Sequence, residues 1–318
     1  MTDAVAAAKL DTLVLVSRLM EPRSAERYLW QRGVSVSVRA FDGMTANASV
    51  VLSAHEYDPG ALLDISAQLR DCWVHLVSAG TEYTGLPGLC RENLLTRSWQ
   101  AYSRPLTEYV LAALLDVAWK QGYHWHGESR RQASDERGLF GRSALVFGFG
   151  AIGRNMARSL DALGVRVSVV HRQGAEFPAD GLAHLTLADI STTYDYFILA
   201  LPDVPGTHGL VDEKVLSYLK PQGHLINVGR GNTVQMPALC RALEERAIWA
   251  TLDVTDPEPL PLSHPLRGYP RARVSDHVAW QSGLSEYCFL DDWLALRALI
   301  LAGRPLPDTA VVNRRFGN

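Results

Sequence analysis

The chain has 318 residues, of which 47% are apolar and 20% are charged, a balance typical of ordinary α/β proteins. This length suffices for two domains, and the formal net charge of -3 excludes a strongly basic surface for nucleic acid or anionic membranes. The apolar runs are short and interrupted by charge, and the 4 cysteines show no CxxC spacing. We therefore expect a cytoplasmic protein with reduced cysteines, no membrane segment and no metal site.

The first hundred residues alternate short apolar runs with amphipathic stretches, the pattern of a parallel sheet with crossover helices. A first buried strand is expected at Thr12–Ser17, and the segment PGALLDISAQL predicts a helix farther along. The strand candidates in this part are TLVLVS, VSVSVRAF, ASVVLSA and CWVHLVSAG.

From Pro105 onward, the segment LTEYVLAALLDVAWKQGYHWHGESRRQ predicts one long helix, after which a second α/β unit begins. A closing helix is expected at Ser285–Leu301, and the tail that follows it is expected to pack back on the first unit. The strand candidates of the second unit are ALVFGF, VRVSVV, YDYFILALP, GHLINVGRG, IWATLDV and RARVSDHVAW.

This order of elements predicts an α/β protein with two Rossmann-like domains, each built on a parallel sheet. We expect residues 105–285 to form a dinucleotide-binding domain. This domain is inserted into a flavodoxin-like substrate-binding domain, made of residues 1–104 and 286–318.

Three glycines, Gly148, Gly150 and Gly153, form a GxGxxG motif between the strand ALVFGF and the helix AIGRNMARSLDAL. In this context the motif provides a tight turn, a close backbone approach and a helix N-terminus directed at a pyrophosphate. The sequence therefore predicts a dinucleotide cofactor bound at this turn.

The end of the second strand carries Arg172 where dinucleotide sites that prefer NAD carry an acidic residue. A planar, permanently charged guanidinium suits the 2′-phosphate of NADP, and one charge-assisted hydrogen bond contributes about 1.5–3 kcal/mol. The alternative is that Arg172 is solvated and that NAD is accepted. The missing acid favours NADP(H), with NAD(H) possible.

Three later segments place an arginine, a carboxylate and a histidine at the ends of strands, where ligands bind in such sheets. INVGRG contributes Arg230, LDVTDPEPLP contributes Asp253 and Glu258, and SDHVAW contributes Asp276 and His277. Each has an ordinary explanation on its own, such as a surface arginine or a turn-forming carboxylate. Together they are expected to converge on one small substrate.

At this point the sequence resembles the D-2-hydroxyacid dehydrogenases, whose motifs occur here in the same order over roughly residues 45 to 300. NVGRG, DVTDPEPLP and SDHVAW are similar to the family's catalytic segments, and VSAGTEY is similar to its substrate-carboxylate loop. The resemblance is greatest to the glyoxylate/hydroxypyruvate reductase branch. In NADP-using members a serine-arginine pair ends the second strand, and His171-Arg172 resembles it.

The resemblance implies a role for each of these residues. His277 would donate the proton during reduction of a 2-keto acid, and Glu258 would fix the tautomer of His277. Arg230 would hold the substrate carboxylate and carbonyl oxygens, and Asp253 would contact the nicotinamide carboxamide.

Further residues enter the site through the resemblance alone. The cofactor-binding residues it implies, besides the three glycines, Arg172 and Asp253, are Ala151, Ile152, Leu201, Pro202, Thr207, Val228 and Gly229. The substrate-binding residues it implies are Ser78, Ala79, Gly80, Arg230, His277 and Trp280.

Two departures from the family's pattern leave the substrate open. Trp280 stands where glycine is usual, and it either walls the substrate pocket or fills a core; Asp276 stands where proline is usual. An NAD-linked dehydrogenase for a larger apolar acid is therefore one alternative, with Trp99 near the pocket. A non-catalytic NAD(P)-sensing protein is another. The family also implies a homodimer, formed through the long helix.

Overall fold

A computed structural model describes residues 9–18, 20–81, 86–120, 138–174, 176–281 and 287–312. The chain divides into two compact units. One comprises Met1–Tyr102 with Gly283–Asn318, and the other comprises Ser103–Ser282. Each unit is built on a parallel sheet, which confirms the predicted fold class.

Helices alternate with strands along the chain, as the sequence pattern predicts. None of the helices in the described ranges is long and apolar enough to cross a membrane. The predicted long helix is described at Ser103–Lys120, and the rest of that prediction lies outside the described residues. The helices are α1 (Pro22–Trp30), α2 (Pro59–Gln68), α3 (Leu86–Glu92), α4 (Ser103–Lys120), α5 (Ala151–Ala162), α6 (Glu213–Ser217), α7 (Met236–Glu245) and α8 (Phe289–Leu301).

The first unit has a five-stranded parallel sheet of order β2-β1-β4-β6-β7 and a separate pair of β3 with β5. Numbered within the sheet, this order is 2-1-3-4-5, the flavodoxin-like arrangement. The first strand begins and ends slightly earlier than its apolar run predicts. These strands are β1 (Lys9–Val16), β2 (Ser37–Ala40), β3 (Thr45–Ala46), β4 (Ala48–Leu52), β5 (Leu69–Arg70), β6 (Trp73–Leu76) and β7 (Leu94–Arg97).

Helix α8 and the tail complete the first unit. The Trp293 ring stacks on Trp73 with ring centroids 5.7 Å apart, and its Nε1 donates to Ser49 Oγ over 2.9 Å. Val311 forms an antiparallel bridge with Thr96 on β7. The expectation that the tail packs back on the first unit is therefore confirmed.

The second unit has a seven-stranded parallel sheet of order β10-β9-β8-β11-β12-β13-β14. Its first six strands follow the 3-2-1-4-5-6 order of dinucleotide-binding sheets, whose ligands lie at the carboxyl ends of the strands where that order reverses. The strands are β8 (Ser143–Phe147), β9 (Arg166–His171), β10 (Ala183–Thr186), β11 (Tyr194–Leu199), β12 (Leu219–Asn227), β13 (Trp249–Leu252) and β14 (Ala272–Val274).

The residue pattern explains this arrangement. Every residue of β8 and β11 is buried, as expected for central strands of a sheet covered on both faces. Helix α5 buries Gly153, Met156, Ala157 and Leu160, which share one face at helical spacing. Strand β8, the glycine turn and α5 are thereby held together beside the carboxyl end of β11.

Candidate active site

The GxGxxG turn is held by glycines whose roles differ. Gly148 has φ +95°, and a Cβ there would lie 2.7 Å from Ala200 O. A Cβ on Gly153 would lie 1.9 Å from Gly148 O, so α5 approaches the turn too closely for any side chain. These two glycines are required by the protein's own backbone.

Gly150 differs because the protein leaves the space beside it open. A Cβ on Gly150 would meet no protein atom within 4 Å, and its φ of -69° suits any residue. Gly150 is also the N-cap of α5, and no side chain caps that helix end. The amides of Ala151 and Ile152 in the first turn are therefore suited to an anion, and the open space suits a pyrophosphate in close approach.

Gly150→Ala tests this fit. We expect the variant to keep its Tm, since the new methyl group meets no protein atom, but to bind NADPH roughly tenfold more weakly or worse. Fluorescence titration with NADPH and a thermal melt measure the two quantities. Gly268→Ala, at another position with open space around the Cβ, is the control. Unchanged affinity in Gly150→Ala would show that no ligand approaches this glycine.

The end of β9 presents two neighbouring basic residues. Arg172 is exposed and has no hydrogen-bond partner among the described residues. His171, half-buried, forms a hydrogen bond between its Nε2 and Nδ1 of His184 over 2.8 Å. No acidic residue follows β9 directly, as the sequence indicates.

Beyond β11, the chain turns tightly at residues also predicted to line the cofactor site. The buried Thr207 donates from Oγ1 to Pro202 O over 2.7 Å, which closes the turn that begins at Leu201. In the same turn Asp203 Oδ1 accepts from His208 and from Asn232 Nδ2.

No group of three or more metal-ligating side chains is found in the described part of the chain.

Arg230 follows β12 between two glycines that cannot be replaced without moving the backbone. A Cβ on Gly229 would lie 2.6 Å from Leu201 O, and a Cβ on Gly231 would lie 2.0 Å from the carbonyl carbon of Thr255. The glycines thus let the Arg230 loop pack against the turn after β11 and against the segment after β13. This close packing explains an arginine between two glycines at a strand end.

Asn227, which the sequence analysis missed, fixes the conformation of the Arg230 loop. Its buried Nδ2 donates to Arg230 O over 2.9 Å, and its Oδ1 accepts from Gly229 N over 3.0 Å. Thr233 Oγ1 donates to the same Arg230 carbonyl over 2.7 Å. An asparagine that ends a buried strand was the available signal, because such a side chain commonly pairs with the backbone just beyond it.

Glu258 and His277 come together as the sequence predicts. His277 Nδ1 donates to Glu258 Oε1 over 2.7 Å, and both side chains are partly exposed. Thr255 N donates to Glu258 Oε2 over 3.3 Å, and Thr255 is the residue that packs against Gly231. The loops that carry Arg230 and Glu258 are therefore in direct contact, and Glu258 is bonded to His277.

The His277 loop is held by a buried carboxylate. His277 has φ +55°, unusual for a residue with a side chain, and its amide donates to Asp253 O over 2.9 Å. Asp253 Oδ1 accepts from Ser275 Oγ over 2.7 Å and from Val278 N over 2.9 Å. Both carboxylate oxygens also accept from the Ala279 amide over 3.1 Å.

Tyr109 on α4 extends this network, since its hydroxyl lies 2.6 Å from Ser275 Oγ. The contact of Tyr109 with Ser275 was not predicted, because no spacing in the sequence relates α4 to the end of β14. The described contacts make Asp253 a support of the His277 loop. Its contact with the nicotinamide carboxamide stays a prediction.

The two departures from the family's pattern lie on this loop. Trp280 Nε1 donates to the His277 carbonyl over 2.8 Å, so the indole lies directly beside the acid–base candidate. Asp276 is exposed. Trp280 thus supports the loop, while its contact with substrate stays a prediction.

The predicted substrate-carboxylate loop, residues 78–80, belongs to the first unit. Ser78 Oγ donates to Gly80 O over 2.9 Å, and Arg97 donates to Ala79 O over 2.5 Å. Tyr102 Oη donates to Val77 O over 2.7 Å just before the loop. These contacts give the loop a defined conformation at the carboxyl end of β6, and its role with substrate stays a prediction.

Curated proteins with similar sequences indicate the family to which the chain belongs. The sequence is 30% identical over 229 residues to the glyoxylate reductase/hydroxypyruvate reductase of Mus musculus. The matched stretch covers 70% of this chain and 59% of that protein. The sequence is 32% identical over 139 residues to glyoxylate/hydroxypyruvate reductase A of Serratia proteamaculans, which covers 42% of this chain and 44% of that protein. The chain thus spans about half the length of the curated relatives it matches.

One solved structure has the same fold across nearly the whole chain. The D-isomer specific 2-hydroxyacid dehydrogenase from Xanthobacter autotrophicus Py2, in complex with NADPH and MES, superposes with a TM-score of 0.72 at 23% identity. The superposition covers 96% of this chain and 99% of that one. The sequence model of the family described as "D-isomer specific 2-hydroxyacid dehydrogenase, NAD binding domain" matches residues 109–279. The chain therefore belongs to the D-isomer specific 2-hydroxyacid dehydrogenase family.

Proposed function

We propose that the protein reduces a small 2-keto acid of the glyoxylate or hydroxypyruvate type to the D-2-hydroxy acid, with NADPH as the preferred cofactor. The observation that carries the proposal is the 2.7 Å hydrogen bond between His277 and Glu258 at the carboxyl ends of the strands. The names of the relatives from mouse and Serratia proteamaculans support the substrate class.

His277 is assigned the proton transfer. An ionised carboxylate can only accept hydrogen bonds, so Glu258 keeps the hydrogen of the neutral ring on Nδ1. In the reduction the protonated ring gives its Nε2 hydrogen to the substrate oxygen and is left neutral, with the remaining hydrogen on Nδ1 toward Glu258. A bound nicotinamide would supply the hydride to the substrate carbon.

Arg230 is assigned the grip on the substrate. Its guanidinium is always charged and planar, so it can bind a carboxylate oxygen and the neighbouring carbonyl oxygen together. Its loop is fixed by Asn227 and packs against the segment that carries Glu258. Backbone amides at residues 78–80 are assigned the binding of the second carboxylate oxygen of the substrate.

The homodimer that the family resemblance implies stays a prediction.

Initial rates test the proposal. NADPH and NADH are each combined with glyoxylate, hydroxypyruvate, pyruvate and phenylpyruvate, and the loss of reduced nicotinamide absorbance is followed. Turnover with NADPH on the two small substrates, glyoxylate and hydroxypyruvate, supports the proposal. A preference for phenylpyruvate would favour the larger apolar acid and a pocket role for Trp280. Intact cofactor binding without turnover on any of the four would favour the sensing protein.

Arg172→Ala should narrow the preference for NADPH over NADH. The exposed guanidinium lies at the end of β9, and losing one charge-assisted hydrogen bond to a 2′-phosphate lowers affinity by roughly ten- to hundredfold. Dissociation constants of both reduced cofactors, measured by fluorescence titration, give the ratio. The control Arg304→Ala removes an arginine from the other unit. An unchanged ratio in Arg172→Ala would place the guanidinium in solvent.

A further inference from the structure

A chain of three hydrogen-bonded side chains ends at the same strand terminus as Arg172. His171 Nε2 lies 2.8 Å from His184 Nδ1, and His184 Nε2 lies 2.7 Å from Asp180 Oδ1. His184 is almost fully buried, with 4% of its side chain exposed, while His171 is half-buried. His171 Nδ1 has no hydrogen-bond partner among the described residues.

This chain packs directly on the glycine-rich turn. The ring of Phe149, between Gly148 and Gly150, lies 5.5 Å from the His171 ring and 5.1 Å from the His184 ring, centroid to centroid. Phe177 covers His171 at 5.1 Å. In sheets of this order the end of the second strand meets the adenosine ribose, whose 2′ position distinguishes NAD from NADP.

The direction of the hydrogen bonds follows from Asp180. An ionised carboxylate accepts only, so His184 donates from Nε2 and, while neutral, accepts at Nδ1. His171 then donates from Nε2, which leaves its Nδ1 as an acceptor. If one proton is added to the pair, Nδ1 of His171 gains a hydrogen whichever ring formally holds the charge.

Burial and the neighbouring ring of His184 favour the neutral form of His171 in the free protein. Burial lowers the pKa of His171, the neighbouring His184 lowers it further, and Asp180 acts in the opposite direction. The hydrogen bond from His184 holds the pKa of Asp180 below its usual range, and Arg158 on α5 adds to this effect.

Two more arginines belong to these surroundings. Arg154 on α5 lies over the Phe149 ring, with its guanidinium carbon 4.9 Å from the ring centroid. Arg172 follows His171 directly. A 2′-phosphate bound here would bring a second negative charge, besides that of Asp180, to the histidine pair.

We propose that the His171–His184–Asp180 chain couples the choice of cofactor to pH. With both rings neutral, Nδ1 of His171 accepts a hydrogen bond from the 2′-hydroxyl of NADH. With one added proton, Nδ1 donates to the 2′-phosphate of NADPH. The inference rests on the proposed function, because it requires the dinucleotide to bind at the glycine turn.

Two measurable consequences follow. NADPH binding takes up a proton wherever the free pair is neutral, while NADH binding does not. NADPH affinity therefore falls as pH rises above the pKa of His171 in the free protein, by up to about tenfold per pH unit, while NADH affinity stays nearly constant.

Isothermal titration calorimetry tests the inference without turnover. NADPH and NADH are titrated in two buffers of different ionisation enthalpy, which gives the protons taken up on binding. His171→Gln removes the titrating ring, and Asp180→Asn removes the negative charge at the end of the chain while it keeps an amide oxygen that can accept from His184. His55→Gln changes an exposed histidine in the other unit and is the control. The 2′-phosphate of NADPH itself has a pKa of about 6. Its contribution to the number of protons exchanged on binding is common to all variants.

The expected result is proton uptake with NADPH that is lost in His171→Gln, reduced in Asp180→Asn and unchanged in His55→Gln. Equal uptake in the original protein and His171→Gln, with NADPH bound by both, would overturn the pH coupling and leave the reductase proposal intact. Failure of the original protein to bind NADPH, while it binds NADH, would overturn both the coupling and the proposed NADPH preference.

Discussion

We expect His277→Ala to lower kcat for the proposed reduction of the keto acid by roughly 10²–10⁴-fold, the usual contribution of a general acid. The ring is the acid–base candidate that Glu258 orients, through the 2.7 Å hydrogen bond at Nδ1. Alanine removes the proton donor from a loop whose backbone is anchored separately by Asp253. The affinity for NADPH should therefore stay within about twofold of the original value.

Steady-state rates and NADPH titration measure the two effects, and the control variant is His55→Ala, at an exposed histidine in the other unit. Glu258→Gln is a second informative change, because it keeps a hydrogen-bond acceptor beside Nδ1 and removes the charge. We expect it to lower kcat less than His277→Ala does. Near-normal kcat in His277→Ala would remove His277 from the mechanism.

Arg230→Lys should lower kcat/KM by roughly ten- to hundredfold, although it keeps the positive charge. A lysine ammonium is a point charge, so it cannot reproduce two parallel hydrogen bonds to the carboxylate and carbonyl oxygens. Losing one charge-assisted hydrogen bond makes the free energy of substrate binding less favourable by about 1.5–3 kcal/mol. Asn227 and Thr233 continue to hold the Arg230 backbone carbonyl, and a lysine ammonium can replace the guanidinium as donor to Gly229 O, a contact of 2.8 Å, so the loop should keep its conformation.

The matched control for this change is Arg241→Lys on α7, where the exposed guanidinium pairs with Glu213 over 2.8 Å. That variant should keep the original kcat/KM. Rates with a saturating cofactor and varied keto acid give KM and kcat separately. Unchanged KM and kcat in Arg230→Lys would contradict a role for this guanidinium in holding the substrate.

The elements that depend on local sequence were predictable. Fully buried strands such as β8 and β11 end in short apolar runs, and Gly148 and Gly153 mark a turn where backbone atoms leave no room for a side chain. The pairing of Glu258 with His277 was also predictable from the resemblance to a known family. In each case one segment, or one known motif order, carries the information.

The supporting contacts were not predictable, because they join segments far apart in the chain. Tyr109 reaches Ser275 from α4, and Asp253 anchors the loop after β14. The pairing of His171 with His184 needs two adjacent strands in register, which spacing alone does not give. At this strand end the sequence pattern points to Arg172 and predicts no separate role for His171.

Transfer of deuterium tests the central claim most directly. NADPH labelled with deuterium on the transferable position of nicotinamide C4 is incubated with the protein and glyoxylate or hydroxypyruvate, and the products are analysed by mass spectrometry. The proposed function predicts a 2-hydroxy acid that carries deuterium at C2, formed in step with the loss of reduced cofactor. Bound cofactor that stays reduced with either acid, or a product without the label, would contradict it.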